Sequence, residues 1–109
     1  MEYIWSMTTV HPNLAVSPEA LADFCRKWGI RELALFGSAV RDDFRPDSDI
    51  DVMVEFDAEA KVGLLGLARL RHELAEMLER DVDVVEKGTI RNPYRRAAIA
   101  RDLRVVYAA

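Results

Sequence analysis

The alternation of helical and strand patterns along the chain is the strongest constraint on its fold. Between residues 63 and 80 the apolar residues recur every three or four positions, which is the spacing of one face of an amphipathic helix. Residues 49–56 read DIDVMVEF, a short run rich in β-branched residues that is typical of a strand. Because strands and helices that alternate in this way bury their apolar faces against one another, we expect a single sheet with helices packed on it.

Residues at the ends of segments define the remaining elements. Ser17 and Pro18 predict a helix start, because serine is a favourable N-cap and proline suits the first helical position, and Gly29 predicts the end of that helix. Asn92 and Pro93 predict another start in the same way. The other predicted segments are strands at residues 31–36, 81–86 and 103–107, a short helix from residue 37 to about residue 44, and a last helix that ends near residue 101.

The predicted fold class is α/β (α+β), with a small β-sheet flanked by helices. The links at residues 44–48 and 80–81 are short. Parallel strands need long crossover connections, whereas antiparallel strands can be joined by short ones. The sheet is therefore expected to be mixed rather than wholly parallel.

The length of the chain fits one domain with one modest core, since it has 109 residues. Residues 17–109 are expected to form this single domain. Residues 1–16 show no clear period and contain His11, Pro12 and Asn13. We therefore expect them to form an N-terminal tail that need not be ordered.

Composition excludes several classes of function. No apolar run approaches the roughly 20 residues that a membrane helix needs, and the N-terminus lacks a signal-peptide pattern, so no membrane association is expected. Cys25 is the single cysteine, which excludes an internal disulfide and fits the reducing cytoplasm. The net charge of -4 argues against a general nucleic-acid binder, whose affinity depends on a basic surface.

Two carboxylates lie inside the predicted strand at residues 49–56. Asp49 and Asp51 are two positions apart, so in a strand they point to the same face, roughly 6.5–7 Å apart. Like charges so close raise each other's pKa unless a cation neutralises them. Carboxylate oxygens are ligands that Mg²⁺ prefers, so the pair predicts a divalent-metal site.

A calcium loop of the EF-hand type is a rival interpretation. Asp47, Asp49 and Asp51 match its first, third and fifth positions. The sixth position requires glycine and is Val52, and the twelfth requires glutamate and is Ala58. The mismatches favour the magnesium interpretation.

Gly37 and Ser38 stand where a predicted strand passes into a short helix. Backbone N–H groups at such a turn are free to bind anions, glycine lets a phosphate approach, and the serine hydroxyl can cap the helix or donate to phosphate. The same dipeptide often forms only a turn, and no Walker motif is present. Eleven positions separate Ser38 from Asp49, which leaves room for a phosphate site beside the metal site.

A third carboxylate would complete the metal site. The predicted strand at residues 81–86 offers Asp81 and Asp83 on one face. Asp81 sits at the join of helix and strand, where a turn residue suffices to explain it. Asp83 lies between Val82 and Val84, where an unpaired charge is harder to justify, so Asp83 is the predicted third ligand.

The combined pattern resembles a known signature. GSAVRDDFRPDSDIDVMV at residues 37–54, followed by VDVV at residues 82–85, is similar to the nucleotidyltransferase motif of the DNA polymerase β superfamily. Within it the chain most resembles the minimal nucleotidyltransferases, the antitoxin partners of HEPN-domain toxins. The likeness covers the chain from Ser17 to Tyr107. It departs after Arg41, where the family often has glycine and this chain has Asp42 and Asp43.

The resemblance implies roles for the residues of the motif. Two Mg²⁺ ions would be held by Asp49 and Asp51, with Asp83 joining one of them and helping to deprotonate the incoming hydroxyl. Gly37 and Ser38 would hold the β- and γ-phosphates of ATP. Arg41 is a further candidate for nucleotide binding.

The resemblance also implies the reaction: transfer of AMP from ATP to a hydroxyl, with a tyrosine of a partner HEPN toxin as the expected acceptor, in a type VII-like toxin–antitoxin pair. No residues remain for a second domain to hold the acceptor, so we expect a homodimer or a hetero-oligomer with the toxin to present it, without direct contact to nucleic acid. Two alternatives stay open. The chain could neutralise its partner by contact alone, or it could modify a small molecule.

Overall fold

The computed structural model describes Leu14, residues 16–40 and residues 48–109, and only the backbone of Ser38 and Ala39. Three helices and four strands alternate in these ranges. They are α1 (Pro18–Trp28), β1 (Ile30–Phe36), a short 3₁₀ helix (Gly37–Val40), β2 (Ile50–Phe56), α2 (Leu64–Leu78), β3 (Val82–Glu86), α3 (Pro93–Asp102) and β4 (Arg104–Ala108). The predicted elements are confirmed, except that residues 41–47, which include the end of the predicted short helix, lie outside the described residues.

The four strands form one sheet in the order β3-β2-β1-β4. Strand β1 is antiparallel to both β2 and β4, whereas β2 and β3 are parallel. The sheet is therefore mixed, as predicted. The parallel pair is connected through α2, which provides the long crossover that parallel strands require.

The helix ends follow the predicted capping residues. The Ser17 side chain accepts a hydrogen bond from the Ala20 backbone N–H at 3.1 Å. The Asn92 side chain accepts from the backbone N–H groups of Tyr94 and Arg95. Gly29 ends α1 with a φ of 70°, a left-handed conformation that glycine adopts without steric cost.

The core lies between one face of the sheet and helices α1 and α2. Ile50, Val52 and Val54 are fully buried, and they alternate along β2 with partly exposed residues. They belong to one apolar cluster with residues of both helices, among them Leu21, Phe24, Leu70, Leu74 and Leu78. The alternation places Asp51 and Met53 on the opposite face of the sheet, where they lie on the side of α3.

Two residues assigned to the N-terminal tail belong to the core, and this part of the prediction is wrong. Leu14 and Val16 are 1% and 5% exposed and belong to the same cluster as α1 and the sheet. Residues 1–13 and residue 15 lie outside the described residues.

Glu73 of α2 accepts hydrogen bonds from two side chains at the end of α1. One carboxylate oxygen accepts a hydrogen bond from Lys27 Nζ and the other from Trp28 Nε1, both at 2.8 Å. The hydrogen bond from Lys27 lowers the pKa of Glu73, as does the weaker contribution from Trp28, against an opposing effect of burial. The contact fixes the position of α2 and, through it, the start of β3.

None of the helices in the described ranges is long and apolar enough to cross a membrane. Location in the cytoplasm stays a prediction.

The buried thiol of Cys25 gives the fold a testable dependence on alkaline pH. Burial raises the pKa of Cys25 from 9.0 to about 12, against a small lowering by Arg26. Above pH 9.0 the unfolded chain loses this proton while the folded chain keeps it. We expect the free energy of unfolding to fall with rising pH in this range, by up to about 1.4 kcal/mol per pH unit from this group.

The measurement is urea unfolding of the wild type and of Cys25→Ala at about pH 8 and about pH 11. The variant lacks the thiol, so its stability should fall less between the two pH values. An equal fall in both proteins would show that Cys25 ionises as readily in the folded state as in the unfolded one.

Candidate functional site

The candidate site lies at the edge of the sheet where β1 ends and where β2 and β3 begin. Phe36, the last residue of β1, pairs with Asp51. Ile50 pairs with Val82, and the Ile50 N–H donates to the Asp81 carbonyl at 2.9 Å. Three chain segments that carry predicted site residues therefore meet at one edge.

Asp51 and Asp83 are direct neighbours across the parallel pair of strands. Residues in register on adjacent strands project from the same face, and adjacent strands are about 4.8 Å apart. Asp51 is half-buried and Asp83 is exposed. The structure thus brings these two predicted ligands together on the face that lies opposite the core.

Gly37 packs directly against the Asp51 carboxylate. A Cβ atom added at Gly37 would overlap Asp51 Oδ2 and would lie 3.3 Å from its Cγ. The φ of Gly37 is +71°, in the left-handed region that other residues adopt at a cost. Both conditions require glycine here, and they place the predicted phosphate-binding turn beside one of the predicted metal ligands.

The phosphate-binding roles of Ser38 and Arg41 stay predictions. The backbone of Ser38 belongs to the short 3₁₀ helix that starts at Gly37. Ser38 therefore directly follows the glycine that packs against Asp51. Its side chain is not described. Arg41 lies outside the described residues, as do Asp42 and Asp43, which mark the departure from the family pattern.

Asp49 occupies a less defined position than the other two aspartates. It precedes β2, is exposed, and lines an open cleft of about 580 Å³ with Asp81, with Glu76 of α2 and with Glu79, the residue that follows α2. Because Asp49 is outside the strand, the alternation of strand side chains does not fix its direction. No three His, Cys, Asp or Glu side chains among the described residues form a metal-binding group. The joint action of Asp49, Asp51 and Asp83 therefore stays a prediction.

Arg80 holds the segment that leads into β2, a role that the sequence did not indicate. Its guanidinium donates to the Ser48 carbonyl at 2.5 Å. The contact joins the end of α2 to the residue before Asp49, across 32 positions of the chain. A contact between segments so far apart leaves no local signal in the sequence.

The donor set suits a hard divalent cation. Carboxylates on adjacent strands provide oxygen ligands, and Mg²⁺ is commonly bound by one or two carboxylates together with substrate phosphates and water. Gly37 has no side chain, so its backbone reaches the Asp51 carboxylate at a point where a Cβ atom would overlap Oδ2. Binding of a metal and a phosphate at this site stays a prediction.

Comparison with known proteins identifies the same architecture. The model of the nucleotidyltransferase domain family matches residues 18–106. The protein adenylyltransferase MntA of Thermococcus cleftensis is 32% identical over 92 residues, which cover 84% of this chain and 82% of that protein. A Methanocaldococcus jannaschii protein with the provisional name protein adenylyltransferase MJ0126 is 35% identical over 77 residues, or 71% of this chain and 76% of that protein.

Solved structures show a similar fold. A chain of a toxin–antitoxin complex with AMP-PNP superimposes with a TM-score of 0.68 at 19% identity, covering 84% of this chain and 73% of that chain. A chain of the complex between the tri-AMPylated Shewanella oneidensis HEPN toxin and its MNT antitoxin superimposes with a TM-score of 0.60 at 18% identity, covering 84% of this chain and 70% of that chain. Because the family model spans most of the chain and both relatives align over most of their own length, this chain belongs to the nucleotidyltransferase domain family, among the minimal nucleotidyltransferases.

Proposed function

We propose that this chain is an antitoxin that transfers AMP from ATP to a tyrosine hydroxyl of a HEPN-domain toxin and thereby silences it. The observation that carries the proposal is the register of Asp51 beside Asp83, with Gly37 packed on Asp51. This arrangement supports the proposal, because it brings two candidate metal ligands next to the candidate phosphate-binding turn. Carboxylate-held metal ions that grip a triphosphate are the basis of most nucleotidyl and phosphoryl transfer.

The names of similar proteins support the choice of substrates. The Thermococcus cleftensis relative is named a protein adenylyltransferase. One structural neighbour was solved with AMP-PNP, an ATP analogue, and another holds a HEPN toxin that carries AMP groups. Transfer of AMP to a protein acceptor is therefore favoured over modification of a small molecule.

The metal ions of the proposal are Mg²⁺, two in number. Asp51 and Asp83 would hold them together with Asp49, through carboxylate oxygens of the kind that Mg²⁺ prefers. When bound, Mg²⁺ would neutralise the charge that develops on the phosphate oxygens.

The residues of the chain then divide the work of the reaction. Asp83 is exposed at the β3 side of the site and accepts the proton of the incoming tyrosine hydroxyl. The tyrosine oxygen attacks the α-phosphorus and forms the new P–O bond, while the bond from the α-phosphorus to the oxygen bridging to the β-phosphate breaks. Pyrophosphate leaves toward the backbone N–H groups of Gly37 and Ser38, which hold the β- and γ-phosphates.

We predict that Asp51→Asn and Asp83→Asn each lower the rate of AMP transfer by more than about a hundredfold, because an amide removes the charge that binds the metal. The assay incubates the chain with the toxin of its own operon, labelled ATP and Mg²⁺, and measures label on the toxin. The double variant Asp49→Asn plus Asp51→Asn should transfer none.

Asp81→Asn is the matched control, since it makes the same charge change two residues earlier in the chain. It should retain transfer close to the wild-type rate. If Asp81→Asn is inactive and Asp83→Asn is active, the third ligand is misassigned. If the inactive variants still protect cells from the toxin as well as the wild type does, the chain acts by contact alone.

We predict that Gly37→Ala lowers the transfer rate at least about tenfold in the folded protein, because the new methyl group displaces the Asp51 carboxylate. Gly29→Ala is the control. Gly29 has a φ of +70°, and a Cβ there would crowd Ala60 Cβ at 2.9 Å. It therefore carries similar backbone strain of about 1–2 kcal/mol at the other end of β1. Equal transfer rates for the two variants, normalised to the folded fraction from urea unfolding, would contradict the role of Gly37.

A further inference from the structure

A cavity of about 300 Å³ lies on the same face of the sheet as Asp51 and Asp83. Its apolar lining consists of Met53 of β2, Ile90 of the loop after β3, Ile99 of α3 and Leu103, the residue that follows α3. Lys87 and Arg96 line it as well and are exposed. The size is at the lower end of the range for small-molecule sites.

The cavity adjoins β2 two positions beyond Asp51 of the candidate site. Met53 follows Asp51 by two positions and pairs with Val85, just as Asp51 pairs with Asp83. The four side chains therefore share one face, with the carboxylates in one row and the apolar pair in the next, roughly 6.5–7 Å along the strand. This separation is within the reach of a nucleoside whose phosphates are held at Asp51.

The chemistry of the lining fits a flat heteroaromatic ring. The apolar side chains offer surfaces for a ring, and the arginine and lysine offer N–H donors and positive charge for stacking and for ring nitrogens. Lys87 Nζ forms an ion pair with Glu55 Oε1 at 3.5 Å. A tyrosine ring of an acceptor has no ring nitrogen to accept these donors, so the lining favours a purine over the acceptor side chain.

We propose that this cavity binds the adenine base of ATP, with Met53 and Ile99 against the ring and Arg96 as donor to it. The inference rests on the proposed function, because it takes the triphosphate to lie at Asp51 and Gly37. It assigns base recognition to α3 and the loop before it, segments that carry none of the metal or phosphate ligands.

The test separates the base from the phosphates. Ala100 lines the cavity, so Ala100→Leu should fill it. Affinities for ATP and for inorganic tripolyphosphate are measured by titration calorimetry with Mg²⁺. We expect Ala100→Leu to lower the affinity for ATP at least about tenfold and to change the affinity for tripolyphosphate less than about twofold. Ala97 is exposed on the same helix and does not line the cavity, so Ala97→Leu should leave both affinities unchanged.

A second pair of variants tests the cation without filling the cavity. Arg96→Gln should lower the affinity for ATP by about threefold to tenfold. Arg95 is exposed and does not line the cavity, so Arg95→Gln should leave this affinity unchanged. Unchanged ATP affinity in both Ala100→Leu and Arg96→Gln, or equal losses for ATP and tripolyphosphate, overturns the assignment of the cavity and leaves the proposed function standing. If the wild type binds neither ligand, the proposed function itself fails.

Discussion

The parallel pairing of β2 with β3 is the constraint on which the site depends. Burial of Ile50, Val52 and Val54 turns Asp51 to the opposite face, and the register then sets Asp83 beside it. A slip of one residue would move Asp51 into the core, where an unpaired carboxylate costs several kcal/mol. The apolar packing that stabilises the fold therefore also determines where the charges of the site must lie.

The second constraint is the close approach of β1 to this pair of strands. Because β1 is antiparallel to β2, its last residue comes level with Asp51, and the chain must turn immediately after it. Gly37 makes that turn with a left-handed φ while touching the carboxylate. The predicted phosphate-binding backbone and the predicted metal-binding carboxylate are thus brought together by sheet geometry rather than by sequence proximity, since they are fourteen positions apart in the chain.

The sequence predicted those features that depend on local chemistry. The caps at Ser17 and Asn92 and the end at Gly29 fix helix boundaries, because each satisfies backbone groups within a few residues. Strand order could not be predicted, since it depends on which surfaces pack in three dimensions. The burial of Leu14 was missed for the same reason. The resemblance to a family supplied the roles of the aspartates, and the structure adds the register of only two of them.

The cavity could not be predicted because its lining comes from segments that are up to 50 positions apart in the sequence, from Met53 to Leu103. Each of these residues has an ordinary interpretation by itself. Met53 is half-buried on a strand, and Ile99 is the buried residue of a short helix. Their common face appears only when β2 is placed beside α3.

The basic residues of this acidic chain are unevenly distributed along the sequence. The net charge is -4, yet Lys87, Arg91, Arg95, Arg96, Arg101 and Arg104 fall between residues 87 and 109, where Asp102 is the single acidic residue. All six cations are exposed. Arg95 and Arg96 even occupy the first turn of α3, where the helix dipole disfavours positive charge and no acidic residue balances it.

A residue that is locally unfavourable for stability often belongs to a functional site. Here Lys87 and Arg96 line the cavity on the same side of the sheet as Asp51 and Asp83, so in the proposed function their charge offsets the repulsion that these carboxylates exert on an approaching polyphosphate. In the proposed function, this positive surface attracts the polyphosphate that the carboxylate-bound metal would hold.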